Sequence, residues 1–202
     1  MRPAIGFRFL PLLVLMSLWA TPGWAAEPAA PLPLSPVIQI LPDRDYAKVL
    51  FKKLGEAKSE ILISIYLFKT DDSLSNPTNK IKKLLEKAAK RGVTVKVLME
   101  RENDADSILT RSNEETAEQL AAHGIRVIFD SPKRRTHTKA LVIDRRYVFI
   151  GSHNFTQSAL RQNREVSVLI DDKSAAEKTA KYIESLIREG EKNGGLFPSP
   201  RR

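Results

Sequence analysis

The 202-residue chain carries 33 Lys and Arg against 24 Asp and Glu, a formal net charge of +9, with no cysteine and three histidines. One domain with a buried core fits this length. The absence of thiols excludes disulfides and Cys-ligated zinc, and three histidines make a multi-His metal centre improbable, so neither a metal nor another cofactor is expected.

Residues 1–25 begin with Arg2 and Arg8, continue through an apolar run from Phe9 to Ala20, and end with the small residues Gly23 and Ala25. This is the layout of a secretory signal peptide cleaved after Ala25. The run is too short for a bilayer span of about 20 residues, so no stable membrane span is expected after cleavage. The protein is expected to be exported, to the periplasm or beyond the cell. Loss of Arg2 and Arg8 leaves 31 basic residues against 24 acidic ones, a net +7, and that balance favours polyanionic partners. Residues 26–36 are rich in Ala and Pro and read as a linker. The domain is expected over 37–189, with a flexible tail over 190–202.

In chain order, Val37–Leu41 reads as a strand. Asp43 is placed to cap a helix running to Ala57, with Val49, Leu50 and Leu54 on one face. The apolar run from Glu60 to Phe68 reads as a buried central strand. An amphipathic helix is expected over Asn79–Arg91, stopped by Gly92, with Lys82, Lys83, Lys87 and Lys90 on its wet face. Strand Val93–Met99, helix Asn113–His123 and strand Ile125–Phe129 follow. Lys139–Ile143 and Tyr147–Ile150 are separated by three residues, which dictates a hairpin. Val166–Ile170 is a further strand, and Lys173–Arg188 a closing helix. The order predicts an α/β fold: a mixed, largely parallel β-sheet sandwiched by helices.

The hairpin holds the chemistry. His137 and Lys139 are two apart on a strand and share a face, while Thr138 points away. Gly151, Ser152, His153 and Asn154 follow the partner strand, and Gly151 permits a turn or a close backbone approach. Imidazole serves as nucleophile or general acid near neutral pH, Lys as a point charge for a phosphate oxygen, and Ser and Asn as donors to developing negative charge. This set suits phosphoryl chemistry without a metal.

His-x-Lys-x4-Asp at His137, Lys139 and Asp144, followed by Gly-Ser-x-Asn, resembles the phospholipase D superfamily, and most of all its small single-motif bacterial endonucleases. The resemblance takes in the opening strand and helix, ILISIYLF, KRGVTVKVLME and Glu165, over residues 37–172. It implies a phospholipase D-like fold and a phosphohistidine mechanism in which one His attacks phosphorus and a second protonates the leaving oxygen. It implies catalytic roles for His137, Lys139, Asp144 and Glu165, the last orienting the nucleophile, with Asp144 ranked below the others because it can instead brace the hairpin. Lys139, Ser152 and Asn154 are implied to hold the substrate phosphate.

The chain supplies one complete motif. His123 at a helix end and His153 in the variable slot are poor candidates for the second His, so a homodimer with a shared active site is expected. The expected substrate is nucleic acid, DNA or RNA, hydrolysed by a non-specific endonuclease. The alternative is a phospholipase D-type phospholipid hydrolase or transphosphatidylase, disfavoured by the polar segments Lys69–Thr78 and Glu102–Asn113. A silent nucleic-acid-binding domain is the third reading, disfavoured by the complete set of motif residues. Lys133, Arg134 and Arg135 are placed to line the mouth of the site, and Arg101 to contact phosphate.

Overall fold

The computed structural model describes residues 36–197, apart from 74, 105 and 132. The expected signal segment, nearly all of the linker and residues 198–202 lie outside the described residues. The elements are β1 (Val37–Pro42), α1 (Arg44–Glu56), β2 (Glu60–Ile65), α2 (Pro77–Lys90), β3 (Thr94–Met99), α3 (Ile108–Ala121), β4 (Arg126–Phe129), β5 (Lys139–Ile143), β6 (Tyr147–Gly151), α4 (Gln157–Arg161), β7 (Val166–Asp171) and α5 (Lys173–Lys192).

The strands form one mixed sheet in the order β1-β7-β6-β5-β2-β3-β4. Alternation along each strand feeds two cores. Ile61, Ile63 and Ile65 point to the face covered by α1, α2 and α3, where they meet Leu50, Leu54, Ile81, Leu85 and Leu120. Leu62, Leu98, Val142 and Val148 point to the other face, against Ala176, Ala180, Ile183 and Ile187 of α5.

The expectation of a largely parallel sheet needs correction in its pairing. Five strands share one direction and two, β5 and β7, are reversed, yet only β2–β3 and β3–β4 pair in parallel. The reversed β5 inserts between β2 and β6, and β7 between β6 and β1, so the remaining four pairings are antiparallel.

Two local expectations also change. Asp43 has a positive φ of 47° and makes no side-chain cap to α1. Its carboxylate accepts from the Glu165 backbone N–H at 2.9 Å instead, and its own N–H donates to the Glu165 carbonyl at 2.8 Å. The tail is tied down as far as Phe197: Phe129 donates to the Gly195 carbonyl at 2.7 Å, and Phe197 donates to Val127 at 3.0 Å. A Cβ on Gly195 would stand 2.1 Å from the Phe129 carbonyl oxygen, so only glycine permits this approach.

The β5–β6 hairpin turns at Asp144 and Arg145, both with positive φ (53° and 50°). The Asp144 carboxylate accepts from the N–H groups of Lys58, Ser59 and Glu60 and from the Ser59 hydroxyl, all within 3.1 Å. Burial raises its pKa, but these four donors outweigh burial and hold it below the ordinary carboxylate value. Arg145 adds ion pairs to Glu60, Glu177 and Glu184. Asp144 therefore clamps the hairpin to the start of β2. At about 3.3 Å per residue it stands roughly 17 Å along the strand from Lys139. The motif carboxylate thus braces the hairpin, the role that the sequence left open beside a catalytic one.

Asp144→Asn, which tolerates the positive φ, should lower unfolding free energy by about 2–3 kcal/mol in urea titrations at pH 7. Activity per folded molecule should be unchanged. Because the folded pKa is depressed, the stabilisation is present above about pH 4 and is lost as pH falls through the folded value. The gap between wild type and variant should therefore close in acid. A variant that is fully stable but inactive would return Asp144 to the catalytic set.

Candidate active site

The site lies where the N-terminal end of β5 meets the C-terminal end of β2. Lys139 pairs with Ile65, and one step further Tyr66 donates its N–H to the Thr138 carbonyl at 3.0 Å. Thr138 turns its hydroxyl to Ser64. His137 and Lys139 project from the opposite face, as alternation predicts. The Lys139 Nζ donates to the His137 carbonyl at 3.1 Å and stands 4.9 Å over the Tyr66 ring. The Tyr66 and His137 rings meet edge to face, with centroids 4.5 Å apart. His137 is exposed, and neither ring nitrogen has a hydrogen-bond partner among the described residues. Burial, then the charges of Lys139 and Arg135, lower its pKa and favour the neutral imidazole. Burial also lowers the pKa of Lys139, opposed by Glu165.

The irregular segment leading to His137 is gripped by three acids. Thr136 donates its N–H to Glu100 at 2.5 Å and its hydroxyl to Asp130, while Arg135 pairs with Glu102 at 2.9 Å. Glu100 is buried, and that burial raises its pKa. Sequence reasoning singled out none of these acids, nor Tyr66. A tyrosine ending an apolar strand was the available signal, because a buried ring with a polar tip usually has a partner.

The second polar pair follows β6. A Cβ on Gly151 would lie 2.4 Å from the Ser167 Cα, so this glycine allows β6 and β7 to close up. Ser152 accepts from the Val166 N–H at 3.1 Å and donates its hydroxyl to Glu165. Asn163 donates to the other Glu165 oxygen at 3.0 Å. Burial raises the Glu165 pKa, but Ser152, Asn163, His153 and Lys139 bring it below the ordinary value. The carboxylate is thus engaged by Ser152 and Asn163, and no hydrogen bond joins it to His137 among the described residues. Asn154 is half-buried, and its side-chain oxygen is buried without a hydrogen-bond partner among the described residues.

The other histidines play different parts. His153 is fully buried, stacks on Tyr46 at 4.3 Å, and uses both ring nitrogens, on Ser167 at 2.7 Å and on the Asp43 carbonyl at 2.9 Å. His123 bonds the Gln119 carbonyl at 3.0 Å on α3. Arg101, expected as a phosphate contact, pairs with Glu114 at 2.7 Å, and Arg135 is held by Glu102, whereas Lys133 and Arg134 are exposed. Two polar clefts open near these residues. One, of about 420 Å³, is lined by Lys69, Asn76, Thr156, Gln157 and Ser158. The other, of about 460 Å³, is lined by Glu100, Arg101, Glu102 and Arg135. No helix among the described residues is long and apolar enough to cross a membrane.

The family model "Cardiolipin synthase, PLD-like domain" matches residues 50–187. A phospholipase D of Rickettsia typhi is 31% identical over 136 residues, covering 67% of this chain and 60% of that protein. A cardiolipin synthase A of Proteus mirabilis is 28% identical over 135 residues, 67% of this chain and 26% of that protein. The chain thus spans 60% or less of the length of these relatives. Among solved structures, the phospholipase D family member Nuc from Salmonella typhimurium superposes with a TM-score of 0.65 at 25% identity, over 77% of this chain and 96% of that one. NucT from Helicobacter pylori shares the fold, with a TM-score of 0.59 at 20% identity, over 76% of this chain and 96% of that one. With a phospholipase D-like sheet, the His137–Lys139 pair at one end of its central strand and the family model spanning most of the described domain, this chain belongs to the phospholipase D superfamily.

Proposed function

We propose that the chain is an exported phosphodiesterase, a non-specific endonuclease that hydrolyses DNA or RNA without a metal, acting as a homodimer with a shared active site. The observation that carries this reading is the exposed His137 imidazole. Its ring nitrogens are uncommitted within the described chain, its pKa is lowered, and the Lys139 ammonium shares its face. A neutral imidazole beside a fixed cation is a nucleophile next to a phosphate site.

In this mechanism a nitrogen of His137 attacks phosphorus, forming an N–P bond as the P–O bond to the leaving group breaks. The partner's His137, taken in its protonated form, donates that proton to the departing oxygen. Water then attacks the phosphorus of the phosphohistidine, gives a proton to the partner's now neutral imidazole and displaces the nucleophilic imidazole as the N–P bond breaks, releasing a phosphomonoester. Lys139 and Asn154 hold the phosphate oxygens, and Ser152 does so through exchange of its Glu165 hydrogen bond. Asn154 would hold a phosphate oxygen through its amide N–H groups; its unpartnered Oδ1 is itself an acceptor and is not the phosphate contact.

Support for the dimer comes first from the single available motif histidine. It comes also from Ile38, Ile40, Ile150 and Val166, which are exposed on one sheet face with Ile150 and Val166 next to Gly151 and Glu165. A contiguous exposed apolar strip of this kind marks an interaction surface. Polar side chains in the clefts disfavour an acyl chain, although Asp71 offsets Lys69 in one and Glu100, Glu102 and Asp104 outnumber Arg101 and Arg135 in the other; the basic balance of the chain as a whole supports phosphate contacts without base reading. The pattern of residues 1–25 supports export to the periplasm or the medium. The names of the matched relatives keep one competitor, phospholipid hydrolysis by the same site.

Plasmid DNA, RNA and phosphatidylcholine incubated with the mature protein in EDTA, beside His137→Ala, separate these readings. Nucleic-acid cleavage that survives EDTA and is lost in the variant is expected. Turnover of phosphatidylcholine alone would replace the substrate, and strict dependence on a divalent cation would reject the mechanism. In NMR titrations the His137 imidazole should deprotonate below about pH 6.5, the ordinary histidine value. That sign leaves the nucleophile neutral at pH 7; a midpoint at or above 6.5 would contradict it.

A further inference from the structure

His137 reaches the site on an irregular segment, since regular β5 pairing begins at Lys139. Its ring has no hydrogen bond among the described residues to set its angle, and Glu165 is engaged elsewhere. The one ring contact it makes there is with Tyr66. Tyr66 is itself held at both backbone groups. Its N–H donates to Thr138 at 3.0 Å, and its carbonyl accepts from the Asn113 amide at 2.9 Å. Its face carries the Lys139 Nζ and it meets the His137 ring edge to face, so one aromatic ring touches both the nucleophile and the phosphate cation. Burial, then the charge of Glu102, raises the Tyr66 pKa, and Glu102 itself accepts from the Ser107 hydroxyl at 2.6 Å and from Arg135. The backbone beneath the ring is fixed on both sides by the Thr138 and Asn113 bonds.

We infer that Tyr66 is a positioning residue, whose ring sets the His137 imidazole and the Lys139 ammonium at a fixed separation before substrate arrives. The ring acts differently on the two groups. Its edge-to-face contact limits rotation of the imidazole, and its negative π face attracts the ammonium and keeps it from swinging to solvent. A nucleophile and a phosphate-binding cation aligned in advance gain in rate more than in substrate affinity.

The test compares Tyr66→Phe and Tyr66→Leu with wild type on bis(p-nitrophenyl) phosphate, together with an NMR titration of His137. The kinetic arm rests on the phosphodiesterase reading; the titration does not, and decides the inference even if no substrate is turned over. Tyr66→Phe keeps the ring, so kcat should stay within about threefold of wild type, and Tyr66→Leu should lose about 30- to 100-fold in kcat with KM within about twofold. Removal of the ring exposes His137, so its titration midpoint should rise in Tyr66→Leu and hold in Tyr66→Phe. Where Tyr66→Leu fails to fold, Tyr66→Met makes the same comparison. An unchanged His137 titration in the ring-deleted variant, or equal impairment of Tyr66→Phe and the ring-deleted variant, would overturn the inference.

Discussion

The antiparallel pairing of β5 with β2 is the constraint on which the rest depends. At one end of the ladder Asp144 collects four donors from residues 58–60; at the other Tyr66 bonds Thr138. Between them the register is fixed, because a slip of one residue would turn Leu141 and Ile143 out of one core and Val142 out of the other. Fixing the register also fixes which side chains face the site. His137 and Lys139 cannot exchange places with Thr138 without unpacking both cores. The motif is thus a length of strand with a clamp at one end and reactive groups at the other, and its spacing is partly mechanical.

Around that strand, a basic protein concentrates acids close to its most reactive residue. Glu100, Glu102 and Asp130 bind the approach to His137, and Glu165 sits near Lys139. These acids take up Arg135 and the Thr136 donors, so the segment is held by charge-assisted hydrogen bonds where strand pairing is absent. Lys139 keeps no carboxylate of its own at ion-pair distance among the described residues. Its ammonium rests on an aromatic face and a carbonyl, an arrangement that leaves its charge available to a phosphate.

The elements were legible in the sequence wherever periodicity and stop signals agreed. The strand at Glu60–Ile65, the helix stopped by Gly92 and the three-residue hairpin all stand within a few residues of their expected places. Pairing partners were less legible. Chain order shows strands alternating with helices, but the choice of β5 as the second neighbour of β2 is made by tertiary packing. Asp43 illustrates the same limit: its residue type fits a helix cap, yet a long-range partner, Glu165, takes its carboxylate. Within the site, His137, Lys139, Ser152, Asn154 and Glu165 could be read from the motif. Strand alternation anticipated that His153 avoids the phosphate, while its burial between Tyr46, Ser167 and Asp43 required the fold. Tyr66, Glu100 and Glu102 escaped notice because they act through contacts with residues 33 to 71 positions away in the chain, which no local pattern encodes.

In the proposed mechanism the motif on one chain is half of a working site, and a mixing experiment measures that directly. Wild-type and His137→Ala chains are unfolded together, refolded at varied ratios and assayed for phosphodiester cleavage. If two copies of His137 are needed for each site, hybrid dimers are inactive and activity falls as the square of the wild-type fraction. Activity that falls in simple proportion to that fraction would contradict the shared site.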